Sequence, residues 1–154
     1  MATFISHSPE ETQQLGETWA REAERGWILA LSGDLGAGKT QLVKGLARGL
    51  GITARVHSPT FALVNIYAGG RLTLYHLDLY RLDTRQQILE AGLEEYLRPD
   101  GVTVVEWAEK WGRFTTTADR GMDSKPHHQE RIRSVQIESL SETQRRISYE
   151  DIGA

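Results

Sequence analysis

Cysteine is absent from the 154 residues. That excludes disulfides, Cys-based zinc sites and thiol nucleophiles, and it agrees with a reducing compartment. Long apolar runs are missing too: the longest, such as Trp27-Ile28-Leu29-Ala30-Leu31, hold about five residues, against the ~20 a membrane helix needs. The first residues, Met1 to His7, carry neither the basic nor the apolar stretch of an export signal. Positive charge is not in excess: 18 Lys and Arg stand against 21 Asp and Glu, net −3, so no global field draws nucleic acid. No internal repeat occurs, and no Asn-Lys-x-Asp guanine-reading motif. The length suits one domain with one core and is short for two. The expectation is therefore a cytoplasmic domain that uses no membrane.

What is present is organised around Gly33-Asp34-Leu35-Gly36-Ala37-Gly38-Lys39-Thr40, which fits the phosphate-binding pattern G-x-x-x-x-G-K-[ST]. The apolar run 27–31 precedes it as a strand. Gln41-Leu42-Val43-Lys44-Gly45-Leu46-Ala47 follows with apolar positions at helical spacing. Glycines let successive backbone N–H groups curl around phosphates, and the helix N-terminus adds partial positive charge. Lys39 can reach the β- and γ-phosphates, and the Thr40 hydroxyl can ligate Mg²⁺. An ordinary Gly-rich turn matches the four fixed positions by chance in roughly one such chain in a hundred or fewer. The reading is nucleotide binding, with Asp34, Leu35, Gly36, Ala37, Gly38, Lys39, Thr40 and Gln41 as the contacting set. The missing guanine motif leans it towards ATP.

A P-loop domain also needs a second Mg²⁺ anchor, usually a carboxylate ending a buried strand. Two qualify. Glu106 ends the β-branched run Val102-Thr103-Val104-Val105, at the sheet edge where ligands bind. Asp78 ends the strand Leu72–Leu77. Trp107 adjoins Glu106, although most tryptophans are core. Ser58-Pro59-Thr60 lies between the P-loop helix and the next strand, where γ-phosphate sensors sit in other P-loop proteins, although Ser-Pro-Thr is also an ordinary turn. His76 alternates with apolar neighbours on a strand, and His127 and His128 sit in a polar stretch. Structural or solvated roles outweigh metal binding for all three.

The remaining elements follow from local signals. Ser8-Pro9-Glu10-Glu11 reads as a capping box with a proline start, opening a helix with Thr12, Leu15, Gly16, Trp19, Ala20 and Ala23 on one face and ending near Gly26. Residues 61–67 and 72–78 form a hairpin around Ala68-Gly69-Gly70-Arg71. Asp83 or Thr84 caps a helix towards Leu97, interrupted near Gly92. Thr115 to Gln129 has no periodicity and reads as a mobile loop. Val135–Glu138 and Ile147–Tyr149 form a terminal hairpin. The fold expected is α/β: one P-loop NTPase-like domain over 1–154, with a mainly parallel central sheet, helices on both faces and antiparallel hairpin additions.

Four ordered blocks carry a resemblance: Gly33 to Thr40, Ser58-Pro59-Thr60-Phe61, Tyr75-His76-Leu77-Asp78-Leu79-Tyr80-Arg81-Leu82, and Val105-Glu106-Trp107. Together they closely resemble the bacterial TsaE (YjeE) family, over about Phe4 to Lys110 and the terminal hairpin. These are small P-loop ATPases that support threonylcarbamoyladenosine modification of tRNA. The resemblance implies binding and hydrolysis of ATP beside the TsaB and TsaD proteins, which act on the tRNA, so that contact with tRNA is only indirect. It implies phosphate and Mg²⁺ roles for Lys39 and Thr40, and makes Glu106 the second metal anchor. Asp78 would hold metal-bound water or help activate the attacking water, and Ser58 to Phe61 match a switch segment. Residues around Ser8 to Thr12, with Arg145, would lie near the adenosine. One departure stands out: where the family has a short proline-containing link after Glu-Trp, this chain makes the longer charged detour 115–129.

Two other functions compete. A small-molecule kinase needs an acceptor pocket and usually an arginine-rich lid. The only stretch available, Arg113 to Arg133, mixes Asp119, Asp123 and Glu130 among five basic residues without helical periodicity. A nucleotide-gated binding module would bind without turnover.

Overall fold

The computed structural model describes residues 2–33, 38–57, 59, 63–97, 100–111 and 131–152. Asp34 to Ala37, Ser58, Thr60, Phe61 and the whole stretch 115–129, His127 and His128 included, lie outside the described residues.

Chain order begins with a strand that the sequence did not announce, β1 (Ala2–Ser6), and continues into α1 (Pro9–Glu22). Ser8 caps α1 in an extended conformation, its hydroxyl accepting from Glu11 N at 3.1 Å, with Pro9 at the first helical position. Glu11 reaches back one residue further than a standard box and accepts from His7 N at 2.8 Å. The helix stops at Glu22, short of Gly26, where the backbone turns to a φ of 89°. Then come β2 (Trp27–Gly33), α2 (Lys39–Gly49), β3 (Val64–Tyr67) and β4 (Thr73–Asp78). A short helix α3 (Arg85–Glu90) has a complete capping box between Thr84 and Gln87. Gly92, at φ 74°, separates it from a 3₁₀ turn at Leu93–Leu97. That is the interruption expected from sequence. The chain closes with β5 (Gly101–Glu106), β6 (Arg131–Ser139) and β7 (Arg145–Ile152).

The seven strands form one sheet in the order β1-β7-β6-β2-β5-β4-β3. β6, β2, β5 and β4 are mutually parallel, and antiparallel strands flank them on both sides. β6 is thus part of the parallel centre, paired from Trp27↔Arg131 to Gly33↔Ile137. Its hairpin with β7 is real, but on this side of the sheet only β7 and β1 are antiparallel additions, with β3 the one at the other edge. All six residues of β5 are buried, as its β-branched run between two parallel neighbours requires.

Both faces of the sheet are covered. On one, Leu15 and Trp19 of α1 with Leu42 and Leu46 of α2 pack on Leu29, Leu31, Leu74 and Val104. On the other, Ile88, Leu93 and Leu97 cover Ile28, Ala30, Leu77 and Val105. Ile88 is the one buried residue of α3, and full burial of such a side chain is worth about 1.5–3 kcal/mol. α1 and α2 approach through glycine: a Cβ on Gly45 would lie 1.9 Å from Gln13 O, and one on Gly16 would lie 2.4 Å from Leu42 O. This close pairing holds the start of α2 against α1, where Gln13 Nε2 donates to Gln41 Oε1 at 2.7 Å.

Candidate functional site

Four parallel strands point their carboxyl ends to one edge, and α2 starts there. Gly38 supplies the left-handed N-cap of α2 at φ 99°, a conformation that costs glycine nothing. Lys39 and Thr40 are therefore the first residues of a helix whose free N–H groups face this edge. Asp78 and Glu106 end β4 and β5 as register partners, and Leu31 of β2 pairs with Glu106 on its other side. Strand alternation puts His76, Asp78 and Glu106 on the face that α2 covers.

Glu106 is the hub. It is 3% exposed, and its two oxygens have different partners. Oε1 accepts from the Thr40 hydroxyl at 3.3 Å. Oε2 is hydrogen-bonded to His76 Nε2. His76 is fully buried. An ionised carboxylate only accepts, so in this contact the Nε2–H is the donor. Nδ1 has no hydrogen-bond partner among the described residues.

Asp78 is only half-buried, and its Oδ1 accepts from Tyr80 N at 2.9 Å. Burial pushes its carboxyl above the usual 3.8, and the nearby Glu106 charge pushes the same way. The Tyr80 N–H, His76 and Lys39 oppose that rise without cancelling it. The two carboxylates thus differ in kind. Glu106 is locked by two side chains, while Asp78 is open on one side and holds its proton more tightly than a free aspartate.

Lys39 is 5% exposed and donates to Gly33 O at 2.5 Å. Its Nζ also stands 4.0 Å from the centroid of the Trp107 ring. Trp107 is the single non-glycine residue with positive φ among those described, at 61°. A left-handed non-glycine residue costs on the order of 1–2 kcal/mol. Strain of this kind persists where surrounding contacts hold it. Here the turn brings the indole over Lys39 and beside Tyr80, whose ring centroid is 5.1 Å away. Trp107 packs on the second core while also facing the site.

The outer corner of the same edge holds the other expected residues. Ser6 and Arg145 are register partners, which brings the start of α1 to the start of β7. Ser8 spends its hydroxyl on the α1 cap. Thr12 is 2% exposed, and its hydroxyl lies 2.7 Å from the Ser6 hydroxyl. Arg145 Nη1 donates to Ser141 O at 2.7 Å and Gln144 O at 3.0 Å. Lys39, Thr40, Asp78, Glu106 and Trp107 are thus brought together, Gln41 lies against α1, and Ser8, Thr12 and Arg145 form a neighbouring group.

The family model described as threonylcarbamoyl adenosine biosynthesis protein TsaE matches residues 6–147, taking in every described residue of this edge from Ser8 to Arg145. The chain belongs to the TsaE family. The tRNA threonylcarbamoyladenosine biosynthesis protein TsaE of Bacillus subtilis is 50% identical over 101 residues, covering 66% of this chain and 63% of the relative. The TsaE of Synechocystis is 50% identical over 109 residues, covering 64% and 65%. The chain thus spans just under two thirds of the length of these two relatives. The crystal structure of Bacillus subtilis YdiB superposes with a TM-score of 0.74 at 33% identity, over 99% of this chain and 86% of that one. The TsaE family is one of tRNA threonylcarbamoyladenosine biosynthesis.

Whether this TsaE-family edge suits Mg²⁺ can be judged from its donors. Among the described residues no three His, Cys, Asp or Glu side chains converge as a ligand set. Mg²⁺ does not need one, since it is usually held by one or two carboxylates plus substrate phosphates and water. Two neighbouring ligands of an octahedral Mg²⁺, each at ~2.0–2.1 Å, stand about 3 Å apart. Thr40 Oγ1 and Glu106 Oε1 are 3.3 Å apart. The pair fits. Sequence reasoning gave His76 a structural role, and the structure adds what it did not foresee, the bond to Glu106. The signal was its place two residues before Asp78, which on a strand means the same face.

Proposed function

We propose that this chain is a P-loop NTPase-like ATPase that binds and hydrolyses ATP with Mg²⁺ in the cytoplasm. It serves tRNA threonylcarbamoyladenosine formation together with TsaB and TsaD. The observation that carries the reading is the 3.3 Å approach of the Thr40 hydroxyl to Glu106, at the N-terminus of α2 and the carboxyl edge of a parallel sheet. A P-loop hydroxyl facing a strand-end carboxylate is the arrangement that grips a nucleotide-bound cation.

In this reading Asp34 to Gly38 offer backbone N–H groups to the phosphates, and Lys39 leaves Gly33 O and the Trp107 face to meet the β- and γ-phosphates. Thr40 and Glu106 hold Mg²⁺, which when bound neutralises charge on the β- and γ-phosphate oxygens. Asp78 accepts a hydrogen bond from the water that attacks the γ-phosphorus, and its raised proton affinity supports that part. Ser58 and Thr60 serve as the switch, and Ser8, Thr12 and Arg145 border the nucleoside. TsaB and TsaD supply the positive charge that Lys39 alone does not, as an arginine finger worth ~10³–10⁵ in rate would.

The test is phosphate release from ATP and Mg²⁺ under single turnover, with and without purified TsaB and TsaD. Slow release alone and faster release in the complex are expected. A strict need for a phosphate acceptor would make the chain a kinase. Binding with no release in either condition would make it a nucleotide-gated module.

A further inference from the structure

His76 is a buried polar residue that the proposed chemistry does not use. It stands at the centre of β4, fully enclosed, with one nitrogen committed to Glu106 and the other without a partner among the described residues. An apolar residue would fill the position without leaving a polar ring nitrogen unpaired. What the imidazole does there is occupy Glu106 Oε2. We infer that His76 is the positioning residue of the metal anchor. By holding Oε2, it leaves Oε1 alone turned to Thr40 and makes Glu106 a one-oxygen ligand that selects Mg²⁺ over Ca²⁺.

The physical argument has two parts. A buried carboxylate held at one end cannot rotate, so the oxygen that faces Thr40 stays where a cation needs it. The oxygen that accepts from His76 keeps a second lone pair, but its direction is fixed and part of its charge is taken up by the ring N–H, which disfavours chelation through both oxygens. Ca²⁺ takes 6–8 oxygens with bidentate carboxylates in loose geometry, whereas Mg²⁺ takes six at short, strict distances. His76 therefore disfavours the binding mode that the larger ion prefers. The inference rests on the Mg²⁺–ATP reading of the site, and the experiment separates the two.

The probe is imido-ATP, a non-hydrolysable analogue, titrated into the full chain with EDTA, with Mg²⁺ and with Ca²⁺. Two variants of the same polarity differ in reach. His76→Gln places an amide N–H near the position of Nε2, and His76→Asn stops one bond short of it. In the wild type, Mg²⁺ should tighten binding more than Ca²⁺ does. His76→Asn should bind the metal-free analogue as the wild type does and lose about tenfold of the Mg²⁺ gain, the lower end of what losing such a partner costs. Its Ca²⁺ gain should persist, so the preference between ions shrinks. His76→Gln should restore the wild-type gains. If His76→Asn does not fold, His76→Phe keeps a ring of similar size without the donor and serves in its place. A folded donor-less variant with the wild-type Mg²⁺ gain, or a His76→Gln protein as impaired as His76→Asn, overturns the positioning role alone. A wild-type chain whose binding is indifferent to Mg²⁺ overturns the site reading and this inference with it.

Discussion

Thr40 and Glu106 are 66 residues apart in the chain and 3.3 Å apart in the fold. Local structure brings one to the first turn of α2 and the other to the last position of β5, and the parallel pairing of β2 with β5 joins them. Their coupling should be visible in binding. Thr40→Ala and Glu106→Gln should each weaken Mg²⁺-dependent nucleotide affinity, and the double variant should lose less than the sum, with a coupling of about 0.5–3 kcal/mol. Strict additivity in a double-mutant cycle would place the two residues in separate roles.

Lys39 is held between Gly33 O and the Trp107 ring. Lys39→Ala should abolish detectable ATP binding and leave the circular dichroism spectrum of a folded protein. Retention of wild-type ATPase by the folded variant would remove the P-loop from the account.

Asp78 should show the opposition of stability and activity. Its folded carboxyl titrates above 3.8, chiefly through burial. The stability it contributes is therefore present below that value and lost as pH rises through the folded one, so at neutral pH its charge is a burden on the fold. Asp78→Asn keeps the acceptor for Tyr80 N without the charge. It should raise the melting temperature at neutral pH while lowering ATP turnover by about 10²-fold or more. A lower melting temperature with unchanged turnover would contradict both halves.

Asp151 runs the other way. The bidentate pair with Arg133, at 2.6 and 3.1 Å, holds its carboxyl below 3.8. The stability this pair contributes is present above 3.8 and lost as pH falls through the lower folded value. Thermal melts of wild type and Asp151→Asn should differ at neutral pH and converge in acid below 3.8. A difference that persists into acid would mean that packing of Arg133 on Trp19, Trp27 and Tyr149, not charge, governs this corner.

What was legible in the sequence was what local chemistry dictates. The P-loop pattern located Lys39 and Thr40. Thr84 and Gly92 marked the cap and break of α3, and the β-branched run around Val104 announced a strand buried on both faces. Signals that depend on distant partners were not legible. β1 is five residues of mixed character whose strand state comes from pairing with β7 at the far end of the chain. β6 read as half of a hairpin, because nothing in its residues states that its other edge meets β2. His76 looked like a core residue on an alternating strand. It is one, and its core neighbour is the carboxylate of the site.

The measurement that tests the central claim most directly is nucleotide binding at rising Mg²⁺ for wild type, Glu106→Gln and Asp78→Asn. With Glu106 as the metal anchor and Asp78 beside the attacking water, Glu106→Gln should lose the Mg²⁺-dependent gain in affinity while Asp78→Asn keeps it. If Asp78→Asn lost the gain and Glu106→Gln kept it, the contact between Thr40 and Glu106 would be no more than a hydrogen bond within the fold.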